Sequence, residues 1–327
     1  MTNTDARTEF ALCPDQAHPD AVQILQPRLV PLGGPRAMTV RRTLPHRERS
    51  FVGAWCFVDH YGPDEVSSTG GMDVPPHPHT GLQTVSWLFD GEIEHRDSTG
   101  VHATVAPGEV NLMTAGQGIA HSEVSTATTT TLRGVQLWVV LPAADRHVTA
   151  GFERYAVPLA EVAPGVRARV FVGELAGQVS PIHTFTPLTG AEIHLDAGTR
   201  WTVEVSPEHE HALLIDSGSA TLCGAALAEG ELGIVDAGRR ELSLVAREDT
   251  RALLLGGTPF EEEVVMWWNF IAATHQEIEL VREQWQEHAA RFGEVPGYSG
   301  KSSRLPAPPM PGVRLRPRGS RGDSPGR

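Results

Sequence analysis

The sequence predicts an all-β protein built from two tandem β-barrels, and three features of the chain support this. Short apolar runs such as residues 84–89 recur between Gly, Pro and Asp at intervals of about ten residues, which is typical of barrels and sandwiches. The chain has 327 residues, which is enough for two domains of ordinary size. The pattern Gly-Glu-x5-Ala-Gly begins at Gly108 and again at Gly230, which indicates a duplicated unit.

Changes in composition divide the chain into an N-terminal arm (1–25), a first barrel (26–145), a second barrel (146–260), a helical segment (261–300) and a tail (301–327). In the helical segment, Thr274 and Glu277 form a capping box ahead of apolar residues at three- and four-residue steps, so a helix is expected there. The tail is rich in Pro, Gly and Arg and is predicted to be disordered.

Charge and targeting signals narrow the function classes. The formal net charge is -13 and the pI about 5.6, whereas binding to nucleic acid needs a basic face. The cysteines Cys13, Cys56 and Cys223 are scattered and odd in number, so no disulfide framework is expected. Neither a signal peptide nor an apolar run long enough to span a membrane is evident. We therefore expect a cytoplasmic protein that acts on a small molecule and binds neither membrane nor nucleic acid.

Two short groups of metal-ligating residues stand out in the first barrel: His77 with His79, and His121 with Glu123. One residue separates the members of each pair, so both side chains of a pair lie on the same face of a strand. Three imidazoles and a carboxylate suit Fe(II), Ni, Cu, Mn or Zn rather than Ca or Mg. The spacing thus predicts a metal site between two strands.

The second barrel lacks this set. Counted from the repeated glycines, the positions of His121 and Glu123 correspond to Ser243 and Val245. A second His-x-His pair, His209 and His211, lies elsewhere in the repeat and is more typical of a solvated strand end than of a metal site.

The aromatic cluster Trp267, Trp268 and Phe270 precedes the predicted helix. Such a cluster could line a pocket, but it is more typical of the core at a domain junction.

The spacing Gly71-x5-His77-x-His79 is similar to the first motif of metal-binding cupins, although Gln83 stands where that motif has an acidic ligand. The chain differs from the second cupin motif, because Ile119 occupies the position of the motif's histidine and the nearest histidine is His121.

This particular arrangement resembles the pirin family of bicupins, whose motifs H-P-H-x-G and A-G-x-G-x-x-H-x-E are present here at residues 77–81 and 115–123. The resemblance extends to three further segments: 57–63 (FVDHYGP), 95–98 (HRDS) and 134–142 (GVQLWVVLP).

The resemblance implies two tandem cupin barrels, and a non-haem metal, usually Fe(II), held by His77, His79, His121 and Glu123. For several members it also implies a quercetin 2,3-dioxygenase activity that opens a flavonol ring with O2. Glu123 is then the candidate catalytic residue, because its carboxylate could take the proton of a substrate hydroxyl.

Four further residues are candidate outer partners that could orient the ligands: Gln83, His95, Asp97 and His60. Gln83 replaces a Glu found in many pirins, and a neutral amide cannot act as a base. For His95, Asp97 and His60, a turn residue bonded to backbone is an equally good interpretation.

Two other functions remain open. The chain could be an iron-dependent, redox-sensing partner of another protein without catalysis, as some pirin relatives are. It could also be a barrel that binds metal only for stability, or a metal-free isomerase-type cupin.

Overall fold

The structure is a computed structural model that describes residues 21–32, 38–300 and 302–320. The first half of the described chain forms a short helix, α1 (Val66–Thr69), and the strands β1 (Gln23–Leu25), β2 (Arg28–Leu32), β3 (Met38–Leu44), β4 (Trp55–Glu65), β5 (Asp73–His79), β6 (Leu82–Asp90), β7 (Ile93–Asp97), β8 (His102–Val105), β9 (Glu109–Thr114), β10 (Ile119–Ser125), β11 (Thr131–Val140) and β12 (Gly151–Ala156).

The second half forms β13 (Ala160–Ala163), β14 (Val166–Val172), β15 (Glu174–Leu175), β16 (Gln178–Val179), β17 (Leu188–Leu195), β18 (Arg200–Glu204), β19 (Glu210–Ser217), β20 (Ala220–Leu222), β21 (Ala225–Leu227), β22 (Leu232–Val235), β23 (Glu241–Ala246), β24 (Thr250–Gly257), β25 (Val265–Trp267), β26 (Phe270–Ala272), α2 (His275–Gln286) and a 3-10 turn (Ala290–Phe292).

The two barrels have the same plan. In the first, a seven-stranded sheet of order β12-β9-β6-β11-β4-β3-β2 accompanies a four-stranded sheet of order β5-β10-β7-β8. The second has a seven-stranded sheet, β1-β22-β19-β24-β17-β14-β13, and a four-stranded sheet, β18-β23-β20-β21. Strand by strand, β5 corresponds to β18 and β10 to β23. The expected duplication and the all-β class are confirmed.

The N-terminal strand of the described chain belongs to the second barrel. Gln23 lies opposite Ile234 and Leu25 opposite Leu232, so β1 extends the sheet through β22. We predicted an arm over 1–25; residues 23–25 instead form a strand because the fully buried Leu25 packs in the core between the barrels. Residues 1–20 lie outside the described residues.

The barrels pack against each other through one apolar core with polar ties across it. Trp55 Nε1 of the first barrel donates to the carbonyls of Thr189 and Gly256, at 3.2 and 3.1 Å. Gly53 has a φ of 53° and lies so close to Gly257 that a Cβ would come within 2.6 Å of its Cα. The close approach fixes the relative position of the two barrels.

The predicted C-terminal helix is present as α2. Thr274 is its N-cap and accepts a hydrogen bond from Glu277 N at 3.2 Å, which confirms the capping box. Ile278, Val281 and Trp285 are buried against the outside of the first barrel, in a cluster that includes Ala120 of β10. None of the helices among the described residues is long and apolar enough to cross a membrane.

The tail differs from the prediction. Residues 302–320 lie against the protein: Leu305 N donates to Pro76 O at 2.8 Å, and Trp285 Nε1 donates to Leu305 O at 2.9 Å. Farther on, Val264 and Arg318 exchange backbone hydrogen bonds. Composition predicted disorder because it does not reveal these backbone partners; residues 301 and 321–327 lie outside the described residues.

Candidate metal centre

The ligand candidates meet because β5 and β10 pair antiparallel. His77 lies opposite His121, and His79 lies opposite Ile119. A bulge between His121 and Glu123 changes the register with β5 at that point. The pairing of β5 with β10 therefore brings His121 close to both His77 and His79.

Three imidazoles form a compact buried group. The rings of His77 and His121 are 4.3 Å apart between centroids, and His79 Nε2 lies 3.1 Å from His121 Nε2. The ligand atoms of all three histidines lie within 4.8 Å of one another. Burial lowers the pKa of His77 to about 4 and holds the pKa values of His79 and His121 well below their usual range. All three are thus neutral at pH 7, the form that binds metal.

Neighbouring groups fix the tautomers of two histidines. His77 Nδ1 donates to Pro75 O at 2.9 Å, which leaves its Nε2 lone pair free. On the other side, His95 Nε2 lies 3.3 Å from Asp97 Oδ2, and His95 Nδ1 lies 3.4 Å from His121 Nδ1. A proton on His95 Nε2 and one on His121 Nδ1 satisfy this chain. The Nε2 lone pair of His121 then points toward His79.

This arrangement fits a cation. His79 Nδ1 is buried and makes no hydrogen bond of good geometry among the described residues, although the backbone of Asn269 lies close enough to act on the pKa of the ring. If that nitrogen carries the proton, two Nε2 lone pairs face each other at 3.1 Å; if it does not, a buried acceptor is unsatisfied. A metal ion between the two Nε2 atoms removes the conflict, because nitrogens about 2.1 Å from one ion can lie that close together.

Asp97 is held in place by its own turn. Its Oδ1 accepts from Thr99 N at 2.8 Å and from Thr99 Oγ1 at 2.7 Å. Burial acts to raise the pKa of Asp97, but the hydrogen bonds from His95 and Thr99 outweigh it and the net pKa is lowered. Asp97 is therefore a stable anion that can orient His95.

Glu123 occupies the side of the site toward His95. A carboxylate oxygen of Glu123 lies within 4.8 Å of ring nitrogens of His95 and His121. Glu123 does not form such a group with His77 and His79. Its Oε1 also accepts from Ser86 Oγ at 3.2 Å. Burial raises the pKa of Glu123, and a nearby cation would act in the opposite direction.

The other two predicted outer partners lie in different surroundings. Gln83 is fully buried, and its Nε2 donates to Thr114 Oγ1 at 3.0 Å and to His183 O at 3.4 Å. His60 lies between the barrels, where its Nε2 is 2.8 Å from Asp216 Oδ1. The structure thus places His95 and Asp97 beside the candidate ligands, whereas His60 contacts Asp216 of the second barrel.

A cavity of about 350 Å³ opens above the histidines. That size is typical of a site for a small organic ligand. Phe57 and Trp138 form part of its wall as a stacked pair, with ring centroids 4.0 Å apart and planes at 11°. The wall suits a flat aromatic guest.

The C-terminal region completes the cavity. Trp268 and Asn269, at the tip of the β25–β26 hairpin, line it, and Trp268 has a left-handed φ of 52°. Leu305 of the tail lines it as well. Of the predicted aromatic cluster, Trp268 faces the cavity while Phe270 is buried against α2.

Sequence reasoning missed Arg42, which also lines the cavity. Its guanidinium makes a bidentate pair with the buried Asp59, at 2.7 Å for both bonds, and lies 4.2 Å from the centre of the Phe57 ring. Asp59 belongs to the FVDHYGP segment. Because a buried carboxylate needs a cationic partner, this aspartate could have pointed to a nearby arginine. Nothing in the sequence pointed to Leu305.

The second barrel has no comparable group among the residues that the structure describes. Ser243 lies opposite Thr202, as His121 lies opposite His77, but Ser243 is exposed. Leu242 and Leu244 of the same strand are fully buried in the barrel core. Leucine side chains thus fill the interior where the first barrel has histidines.

Comparisons with known proteins agree with this architecture. The Pirin family model matches residues 37–139, and the Pirin C-terminal cupin domain model matches residues 190–293. A protein of Pseudomonas aeruginosa, named as a candidate quercetin 2,3-dioxygenase, is 38% identical over 95% of this chain and 98% of its own length.

Solved structures give the same result. A quercetin 2,3-dioxygenase from Acinetobacter baumannii is 38% identical, with a TM-score of 0.85 over 90% of this chain and 97% of that one. A bacterial pirin from Escherichia coli in complex with nickel(II) shares the fold at 18% identity, with a TM-score of 0.58 over 73% of this chain and 100% of that one. The chain belongs to the pirin family.

Proposed function

We propose that the protein is a metal-dependent dioxygenase that opens a flavonol such as quercetin, or a related aromatic enol, with O2. The observation that carries the proposal is the group of neutral imidazoles, His77, His79 and His121, at the base of a cavity of about 350 Å³ with an aromatic wall. The names of the Pseudomonas and Acinetobacter relatives support the same activity.

His77, His79, His121 and Glu123 would hold the metal, for which we propose Fe(II). When bound, such an ion supplies Lewis-acid stabilisation of a deprotonated substrate hydroxyl and a redox partner for O2. Ni, Cu, Mn and Zn suit the same donors, so the metal found in a preparation need not be the active one.

The chain's own residues would bind and orient the substrate. Phe57 and Trp138 offer a flat surface beside His79, whose ring centroid is 5.1 Å from that of Trp138. The Arg42 guanidinium, paired with Asp59 by two hydrogen bonds, lies against the Phe57 ring and holds that part of the cavity wall in place. Trp268 and Leu305 narrow the opening and keep water away from the reacting ring.

Glu123 is the proposed proton acceptor. Its raised pKa brings it closer to that of a hydroxyl donor, which makes a buried carboxylate a better base than an exposed one. Ser86 Oγ, itself 3.0 Å from Gln136 Oε1, can steady either protonation state of Glu123. Gln83 takes no part in proton transfer, because a neutral amide cannot act as a base; its Nε2 donates to Thr114 and to the His183 carbonyl.

The test is oxygen uptake by protein loaded anaerobically with Fe(II), with quercetin and a few related enols as substrates and iron measured on the same sample. We expect uptake that scales with bound iron and is lost in His121→Ala. His102→Ala, the same change at an exposed strand position, should retain it. Full iron occupancy without uptake on any of these enols would overturn the proposal and favour a redox-sensing binding partner.

A further inference from the structure

The β25–β26 hairpin reaches the metal cavity from outside the first barrel. Its strands end where Trp267 lies opposite Phe270, so its turn consists of two residues, Trp268 and Asn269. Both turn residues line the cavity, and Trp268 is only half-buried. The hairpin therefore places an aromatic residue where a molecule in the cavity can touch it.

Backbone contacts hold this turn beside the candidate metal ligands. Phe270 forms a β-bridge with Thr80, the residue after His79, and Ile271 N donates to Thr80 O at 3.0 Å. Gly81 has a φ of 73°, and a Cβ there would come within 2.3 Å of Ile271 O. The glycine that follows the His-Pro-His segment thus allows the hairpin to approach the end of β5, and the approach fixes the turn next to His79.

Trp268 has a backbone conformation that does not suit its side chain. Its φ is 52°, in the left-handed region, and it is the first residue of the two-residue turn. Turns of this length favour Gly, Asn or Asp where φ is positive, because a bulky side chain is strained there. Strain of this kind is typical of functional sites, where another requirement outweighs it. Contact with a molecule in the cavity is such a requirement.

Aromatic side chains reach the cavity from two separate parts of the fold. Phe57 and Trp138 belong to β4 and β11 of the seven-stranded sheet, and their rings stack on each other. Trp268 comes from the hairpin beside the end of β5, and its ring packs edge-on against Phe270, at 5.3 Å between centroids. The cavity thus has two aromatic surfaces, and a flat body of several rings can contact both.

We propose that Trp268 is a specificity-determining residue of the metal cavity, and that it selects planar enols of several rings over enols of a single ring. The indole would contact the ring body of the substrate through dispersion and aromatic packing. A single-ring enol offers the same oxygens to the metal but has no further rings to reach Trp268. Because the enol is taken to bind at the metal, this role of Trp268 rests on the function proposed above.

The probes are 3-hydroxyflavone and maltol, which share a 3-hydroxy-4-pyranone head and differ in the rings attached to it. Each is titrated into the full chain loaded with Zn(II), which suits the same donors and has no redox chemistry. Fluorescence of the flavonol and calorimetry of maltol measure the two dissociation constants. In Trp268→Gly we expect the flavonol to bind roughly tenfold more weakly and maltol to bind as before. Tenfold corresponds to about 1.4 kcal/mol, within the range of one aromatic contact.

Matched variants separate a ring contact from a structural role. Glycine suits the left-handed φ of the turn, so Trp268→Gly is expected to fold, and Trp268→Asn tolerates the same φ and serves as a second variant. Trp268→Phe keeps an aromatic ring and should recover most of the flavonol affinity. Trp267→Ala removes the neighbouring indole, which does not line the cavity, and should leave the binding of both probes unchanged.

Three outcomes would overturn the role of Trp268: unchanged flavonol binding in Trp268→Gly, an equal loss for flavonol and maltol, or no saturable binding of the flavonol to the original protein. An equal loss would indicate a displaced hairpin or metal instead of a lost ring contact. Absence of oxygen uptake by the Fe(II)-loaded protein is a separate result. It would overturn the dioxygenase but not a selective loss of flavonol binding, because binding to the zinc-loaded protein involves no step with O2.

Discussion

The two barrels share one strand order but have opposite interiors. In the first, β10 turns His121 and Glu123 toward the cavity, while in the second, β23 turns Leu242 and Leu244 inward and leaves Ser243 exposed. The repeated Gly-Glu-x5-Ala-Gly pattern has the same spacing in both halves. The shared strand order therefore does not decide which barrel can bind a ligand. That difference comes from the side chains that β10 and β23 turn toward the interior.

The polar interior of the first barrel needs support that the second does not. Its histidines are oriented by Pro75, His95 and Asp97, and residues of the β25–β26 hairpin and of the tail line its cavity. Both segments come from outside the first barrel. The hairpin also joins the shared core, where Ile271 lies in one cluster with Leu214 and Leu253 of the second barrel.

The largest expected effect is on metal content. His79→Ala should reduce bound metal from one equivalent to none, because it removes the imidazole that faces His121 across 3.1 Å. His209→Ala, in the second barrel, should leave metal content unchanged. Metal analysis after dialysis, with circular dichroism to verify folding, distinguishes the two. One tightly bound equivalent in His79→Ala would show that the ligands are assigned wrongly.

The next effect concerns the leucine-filled interior. Leu244→Ala should lower the free energy of unfolding by about 2 to 5 kcal/mol, the usual cost of a cavity at a buried leucine. Ser243→Ala, at the neighbouring exposed position, should change it little. Urea unfolding measures both variants, and metal content should stay at one equivalent in each. Loss of metal from Leu244→Ala would mean that the barrels are not separable in function.

Acid should destabilise the metal-free protein through both barrels. The pKa values of His77 and His211 are each lowered to about 4 in the folded state, against about 6.5 when unfolded. The stabilisation is fully present above pH 6.5 and is lost as the pH falls toward 4, since the unfolded chain then binds more protons. For each histidine the loss at pH 4 is about 3 kcal/mol.

Urea unfolding of the metal-free protein between pH 7.5 and about pH 4 measures this dependence. His77→Gln and His211→Gln should each make it less steep, by similar amounts. If both variants keep the pH dependence of the original protein, His77 and His211 are not buried as neutral imidazoles.

The smallest expected effect comes from the tail. Deleting residues 301–327 removes the Leu305 backbone partners of Pro76 and Trp285, which should cost about 1 to 3 kcal/mol of stability. The loss should come from the first barrel and α2 alone. Thermal unfolding would record a lower melting temperature, whereas an unchanged value would restore the prediction of a disordered tail.

Much of the fold and of the candidate site could be predicted from the sequence. Strand periodicity and the repeated glycines predicted the two barrels, and the x-spaced histidines predicted which side chains meet, because the alternation of side chains along a strand is a local property. The capping box at Thr274 was equally local.

What could not be predicted depends on contacts between distant parts of the chain. Leu305 is held at the cavity by backbone hydrogen bonds with Pro76 and Trp285 and by packing against an apolar cluster that includes Val74. His60 was expected near the metal, but its position is set by Asp216 of the second barrel. No local pattern encodes either pairing.

The most direct test of the central claim, a single metal centre in the first barrel, is anomalous diffraction at the iron edge from crystals of the Fe(II)-loaded protein. We predict one peak, within bonding distance of His77, His79, His121 and Glu123. A peak beside His209 and His211, or none near His121, would contradict it.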